Sequence, residues 1–285
     1  MKNIFLLSIL AVFTSSLLAY SDADMDGVAD EQDRCPNTPF MELVDINGCT
    51  KKTLRPKDAP SNHHFDIIVG ANYSDSDYNT LNKTDTFSGA LQVDYYYKNF
   101  SLQASTSYFN TQGSGYSEKG LYDSFLGASY QFKPLQNLTF RLGAGAVLPT
   151  YDSSLNNNNT DYTGSASVSY TVSGVNIFGG YNYTMINDDD VYIDTGDVNT
   201  SRNVQYQDTN SYNAGLGYYV TDQLYMSASY NVMNSVYVGV DDIESASVYA
   251  YYGINTHWFT TLSYAYGISD TASKNYAAFR LGYFF

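Results

Sequence analysis

From His64 to Phe285 the chain sets large apolar side chains at every second place, with small or polar ones between them. A period of two residues is that of a β-strand, whose successive side chains point to opposite faces of the sheet. Near the end of the chain Ala277, Phe279, Leu281, Tyr283 and Phe285 share one face, and Tyr276, Ala278, Arg280, Gly282 and Phe284 the other. Leu224, Met226, Ala228, Tyr230 and Val232 stand in the same way against Tyr225, Ser227, Ser229 and Asn231. So do Phe100, Leu102, Ala104, Thr106 and Tyr108 against Ser101, Gln103, Ser105 and Ser107. The pattern predicts twelve strands, over residues 64–73, 86–98, 99–109, 120–133, 137–148, 161–173, 174–186, 206–220, 223–233, 243–255, 256–267 and 275–285.

The links between these strands alternate in length. Short ones fall at residues 98–99, 134–136, 173–174, 221–222 and 255–256; longer polar ones fall at 74–85, 110–119, 149–160, 187–205, 234–242 and 268–274. Short turns at one end, long loops at the other and an even strand count are the arrangement of an outer-membrane barrel, with both chain ends on the periplasmic side. A soluble sandwich would also alternate, so alternation by itself does not separate the two. Strand length, loop alternation, the leader described below and the C-terminus together favour the barrel. The chain stops on Phe285 after apolar or aromatic residues at every second place. This ending resembles the C-terminal signal by which bacterial outer-membrane β-barrels are recognised for insertion. The expected fold class is all-β, a twelve-stranded antiparallel transmembrane β-barrel over residues 63–285.

Many tyrosines on the outward face fall near strand ends, among them Tyr73, Tyr97, Tyr170, Tyr183, Tyr230, Tyr264 and Tyr283, with Trp258 just after a short turn. Such rings keep an apolar body in lipid and a polar edge among headgroups, although strand propensity alone also favours Tyr. Outer-membrane lipid and lipopolysaccharide are the surroundings such a belt implies.

Residues 1–19 read as a signal peptide, with Lys2 in the n-region, an apolar stretch from Ile4 to Leu18 and the small residue Ala19 before cleavage. A membrane anchor is the competing reading, but the run is shorter than the roughly 18 to 20 residues a helix needs to span. Export would place the protein in the bacterial outer membrane with its N-terminal segment in the periplasm, where cysteines can pair.

Directly after the leader come Asp22, Asp24 and Asp26 at alternate positions, then Gly27, Asp30 and Asp33. Carboxylates so spaced around a glycine let a short loop wrap one Ca2+, which takes six to eight hard oxygen ligands at flexible geometry. The helix-flanked twelve-residue loop is not matched, because its final Glu is replaced by Asp33. With Cys35-Pro36, Thr38-Pro39, Val44-Asp45 and Gly48-Cys49 included, residues 20–52 resemble the thrombospondin type 3 repeat in the periplasmic part of OmpA-type outer-membrane proteins. The resemblance implies that Asp22, Asp24, Asp26, Asp30 and Asp33 bind Ca2+ with help from the Val28 carbonyl, and that Cys35 and Cys49 form a disulfide. In those relatives the repeat follows a barrel and precedes a peptidoglycan-binding domain. Here it precedes the strands, so cell-wall anchoring does not come with it. Residues 53–62, holding Pro56 and Pro60, form an extended linker.

Composition narrows the function. The chain has 285 residues with 14 basic and 29 acidic side chains, a net charge of -15, and this excludes a nucleic-acid partner that needs a basic surface. Disorder is excluded by 30 Tyr and 15 Phe. In the barrel register the inward positions include Asp66, Asp94, Asp123, Arg141 and Arg280, together with Gln92, Gln103, Gln131 and many Ser, Gly and Asn. Two readings compete for these charges: an ion-paired network that braces or plugs the wall, and a selectivity ring in a narrow pore. Loop acids such as Asp188, Asp189, Asp190, Asp241 and Asp242 read as solvated, or as holding divalent ions beside lipopolysaccharide. No enzyme is expected, since His63, His64 and His257 all fall at the short-turn end and leave no serine with a base in reach. The expected function is a narrow porin-like channel for ions or small polar solutes. The alternative is a non-conducting structural or adhesive protein whose loops, or whose calcium module with a periplasmic partner, do the binding.

Overall fold

The computed structural model describes residues 63–76, 83–151, 159–193 and 202–285. The expected signal peptide, calcium loop, disulfide and linker lie outside the described residues.

Among the described residues fifteen strands are formed: β1 (His63–Ser76), β2 (Thr84–Tyr97), β3 (Phe100–Gly113), β4 (Tyr116–Leu121), β5 (Ser124–Leu135), β6 (Leu138–Leu148), β7 (Asp161–Val172), β8 (Val175–Met185), β9 (Val191–Ile193), β10 (Arg202–Val204), β11 (Thr209–Thr221), β12 (Leu224–Met233), β13 (Ile243–Gly253), β14 (Trp258–Gly267) and β15 (Asn275–Phe284). Each neighbouring pair is antiparallel, and β1 pairs with both β2 and β15 while β2 also pairs with β3, so the sheet closes on itself. Because β4 and β5 serve as one interrupted stave and β9–β10 is a separate ribbon, this is a closed twelve-stranded antiparallel barrel. Closure matters physically, since a closed sheet leaves no unpaired backbone edge exposed to hydrocarbon.

The alternation decides which face goes where. Leu91, Leu102, Leu126, Leu142, Leu216, Val248, Leu262 and Phe279 stand exposed on the outer surface. Buried apolar side chains among the described residues are few, Ile68, Phe109, Phe259, Ala272 and Ala278, so the inside is not a packed apolar core. That inner face carries Ser101, Ser129, Ser229 and Ser247, which hydrogen-bond across strands as Ser101–Ser129 at 2.6 Å and Ser229–Ser247 at 2.8 Å. A closed wall with bulky apolar groups outside and hydroxyls inside is built for hydrocarbon around it and water within it.

Turn chemistry fixes the short end. Ser173 and Gly174 both take positive φ, 49° and 76°, the geometry of a tight hairpin turn whose twist matches its strands. The first and last barrel strands meet at this same end, where the Phe285 backbone N–H donates to the Phe65 carbonyl at 2.9 Å.

Several boundaries differ from the sequence expectation. The loop expected at 110–119 is a hairpin, because β3 runs on to Gly113 and turns through Gly115, with φ 77°, into β4. The strand expected at 120–133 is broken: Phe125 faces Ser105 and Leu121 faces Tyr108, so three residues oppose two. That extra residue makes a β-bulge at Tyr122–Asp123 and brings both side chains to the lumen. The strand expected from 206 begins at Thr209, preceded by a single bridge between Tyr206 and Tyr237. The loop expected at 187–205 contains the β9–β10 ribbon.

Candidate functional site in the barrel lumen

The lumen wall is assembled from every second residue of each strand. On β1 these are Asp66, Ile68, Gly70 and Asn72, and on β2 they are Ser88, Gln92, Asp94 and Tyr96. Asp66 and Asp94 are direct cross-strand partners, only 5% and 6% exposed. Gln92 donates to Asp94 at 2.8 Å, while Asp66 Oδ1 has no hydrogen-bond partner and lies 3.9 Å from His64 Nε2.

The two lumen arginines make no direct contact with these acids. Asp66 is in register with Phe284, whereas Arg280 is in register with Gly70, so the first and last strands do not bring Asp66 and Arg280 level. Arg280 lies across Gly70, where an added Cβ would come within 3.0 Å of its Cγ, and its Nη2 reaches Asn72 Oδ1 at 3.5 Å. Arg141 donates to Gln131 at 3.0 Å. Asp123 accepts the backbone N–H of Tyr151 at 3.0 Å. Among the described residues, the ion pairs within 4.0 Å are His64–Asp66, Lys83–Asp75 and Lys83–Asp85. Among the described residues, Asp66, Asp94, Asp123, Arg141 and Arg280 form no carboxylate–guanidinium contact within 4.0 Å, although Arg141 lies close enough to Asp94 to act on it electrostatically.

Two cavities open along this wall. One of about 380 Å³ is lined by Asn72, Ser88, Ser105, Tyr122, Asp123 and Arg280 among others. A second, of about 580 Å³, is lined by Asp94, Tyr96, Ser101, Gln103, Ser129 and Arg141 among others. Gln92 borders both.

Aromatic rings run in an arc from β11 through β15 to β1 and β2, where Tyr96 also lines the second cavity. Tyr219 contacts Tyr225 with centroids 4.9 Å apart, Tyr251 stacks on Phe259 at 5.5 Å, Phe259 meets Phe284 at 4.6 Å, and His64 stacks on Tyr96 at 4.5 Å. Glycines let these rings lie flat. A Cβ on Gly217 would fall 2.0 Å from the Tyr225 hydroxyl, and one on Gly282 would fall 2.1 Å from the Phe259 ring. Each ring thus occupies the side-chain space of a neighbouring glycine and hugs the wall instead of filling the lumen. Tyr225 also donates to Asn176 Oδ1 at 3.2 Å, and Asn176 donates to Ser169 and Thr171 at 2.7 and 2.9 Å. Sequence reasoning missed this arc. Its signal was legible in the inward phase of Tyr219, Tyr225, Tyr251 and Phe259, but the glycine pairing depends on cross-strand register.

At the long-loop end the outer rim is tied together by tyrosine–acid contacts. Tyr73 donates to Asp85 at 2.8 Å, Tyr183 donates to Asp208, and Tyr230 donates to Glu244. In the loop before β11, the Tyr183 hydroxyl and the Ile186 backbone N–H hold the Asp208 carboxyl below its ordinary pKa. Lys83 sits between Asp75 and Asp85, cross-strand neighbours, at 3.0 and 3.5 Å. Their two carboxylates hold its ammonium pKa up. Tyr73, Tyr183, Tyr230 and Tyr264 lie toward the long-loop end of their strands, and Tyr97, Tyr170, Tyr283 and Trp258 toward the short-turn end. His63, His64 and His257 all lie at the short-turn end.

No protein-family model matches the chain. Among curated proteins, an alpha-agarase of Alteromonas agarilytica is 53% identical over 36 residues, 13% of this chain. The chain spans about 2% of the length of that relative, whose activity is not transferred by so short a stretch. Among solved structures, an outer-membrane channel of Pseudomonas putida F1 aligns with a TM-score of 0.64 at 13% identity, covering 82% of this chain and 100% of that one. The NanC porin aligns with a TM-score of 0.47 at 12% identity, over 76% and 98% of the two chains. The translocator domain of the autotransporter NalP from Neisseria meningitidis gives 0.46 at 11%, over 80% and 90%. The first likeness shows that the barrel has the fold of an outer-membrane channel; the other two are too distant to add to it.

Proposed function

We propose that this chain forms a narrow channel across an outer membrane, passing ions or small polar solutes. One observation carries the reading: the closed barrel encloses a wall of hydroxyls, amides and charged groups with open cavities, and few apolar side chains among the described residues are buried. A barrel serving only as a scaffold gains most by filling its interior with packed side chains, as small barrels do. Twelve strands enclose less space than a 16-stranded porin, which confines passage to small species. The likeness in fold to an outer-membrane channel supports the same reading.

Residues 20–52 belong to this proposal as a periplasmic Ca2+-binding module, with Asp22, Asp24, Asp26, the Val28 carbonyl, Asp30 and Asp33 as ligands and a Cys35–Cys49 disulfide. Lipopolysaccharide and outer-membrane lipid are the partners of the outer belt. After refolding verified by the heat-dependent gel mobility of a closed barrel, planar-bilayer recording is expected to show discrete conductance steps. A folded protein without current contradicts the channel. Calcium is expected to protect residues 20–62 from proteolysis, and identical digestion in chelator contradicts the module.

A further inference from the structure

The cavity of about 380 Å³ on the β1, β2, β3 and β15 side of the lumen holds one carboxylate, Asp123, and one guanidinium, Arg280. The two do not pair within 4.0 Å, and the rest of the lining includes the amide and hydroxyls of Asn72, Ser88 and Ser105 beside the rings of Tyr122 and Tyr276. Arg280 has five N–H donors, yet among the described residues its side-chain hydrogen bonding reaches only Asn72 Oδ1, at the long distance of 3.5 Å. Asp123 keeps acceptor capacity beyond the Tyr151 N–H. The neighbouring cavity has the same composition, with Asp94 and Arg141 as its charged members and Gln92 shared.

Consider what such a cavity accepts. A simple anion satisfies Arg280 but meets Asp123 on the same wall. It must also pass Asp161 and Asp188, which lie close enough to Asp123 to act on each other electrostatically. A simple cation has the reverse difficulty at Arg280. A small solute carrying both charges satisfies both groups, approaches with no net charge, and uses the hydroxyls and amide for its neutral portion.

We propose that the Asp123–Arg280 cavity binds a small zwitterion of the α-amino-acid class, its carboxylate on the Arg280 guanidinium and its ammonium on Asp123. The Asp94–Arg141 cavity then offers a second station of like chemistry. This deepens the channel reading and rests on it for the purpose of the site, though binding itself is measured separately.

The test uses the full-length protein in detergent micelles and saturation-transfer difference NMR, which reads weak binding. L-Serine is the probe, with glycerate, serinol and glycerol as analogues that keep the carboxylate, the amine or neither. Serine is expected to bind more tightly than all three. Asp123→Asn, which retains the oxygen accepting the Tyr151 N–H, and Arg280→Gln are each expected to weaken serine by about tenfold, the loss of one charge-assisted contact. Gly70→Ala, which leaves both charges but displaces the Arg280 stem, is expected to weaken it less. Equal signals from the four probes, glycerate or serinol binding best, or a serine preference unchanged in the folded variants would overturn the proposal. Conductance measured on the same preparation separates the two readings. Current without serine preference removes the zwitterion site alone. Serine binding without current removes the channel and keeps the site.

Discussion

The outer and inner faces of β11 to β15 are made by the same strands, yet they follow opposite rules. Outside, bulk is free: Leu216, Val248, Leu262 and Phe279 project without needing a partner, because the surroundings supply apolar contact. Inside, bulk is conditional. Tyr225 and Phe259 lie in the side-chain space that Gly217 and Gly282 leave open, and they share the face with Tyr249, Tyr251, Tyr276 and Arg280 among smaller Ser, Thr, Ala, Gly and Asn positions. The difference teaches that the outer face is selected by solvent and the inner face by free volume.

The sharpest way to break this comparison is to exchange a charge between the faces. Leu216→Arg, near the middle of β11 and pointing outward, is expected to cost about 2 to 4 kcal/mol, whereas Ser229→Arg on the inner face of β12 costs well under half of that. Urea unfolding in lipid vesicles measures both, and equal losses would mean that the faces are not distinct.

Next in size is the free-volume rule. Gly282→Ala drives a methyl into the Phe259 ring and is expected to destabilise by about 1 to 3 kcal/mol. Gly164→Ala, on the outer face with nothing within 4 Å, is expected to change stability by no more than about 0.5 kcal/mol. The same unfolding assay reads both.

The all-β class and the twelve-strand count could be read from alternation, because a period of two is local. What could not be read depends on register. Asp66 opposite Phe284, Arg280 over Gly70 and the bulge that turns both Tyr122 and Asp123 inward are set by how strands slide past one another. The hairpin from Gly113 to Tyr116 was hidden for another reason: its polar residues suit a long loop equally well, and pairing across the turn decides the matter. The cavity chemistry was half legible. Both charges were named, but their separation required coordinates.

A smaller effect probes how the inner aromatics are held. Tyr225→Phe removes the hydrogen bond to Asn176 but keeps the ring, and is expected to cost about 1 kcal/mol. A loss as large as that of Gly282→Ala would mean the hydroxyl, not the glycine beneath it, holds the ring.

The smallest expected effect lies outside both faces, in the loop before β11. Asp208 has its folded pKa lowered by Tyr183 and Ile186, so its contribution is present above the unfolded carboxylate value and is lost as pH falls through the lower folded value. Protease nicking between residues 187 and 208 should therefore rise in acid below the usual carboxylate range. In Asp208→Asn the nicking should already be elevated at neutral pH and should respond less to acid. An unchanged acid response in that variant would assign the effect to other groups.

The most direct test places a tryptophan on each face in turn. The chain has one native Trp, so Trp258→Phe gives a dark background into which Ala228→Trp and Ser229→Trp are introduced separately. In vesicles of brominated lipid, fluorescence at 228 should be strongly quenched and at 229 spared, with the reverse order for a water-borne quencher. Quenching by lipid at 229, or equal quenching at both, would contradict a barrel with hydrocarbon outside and a solvated lumen within.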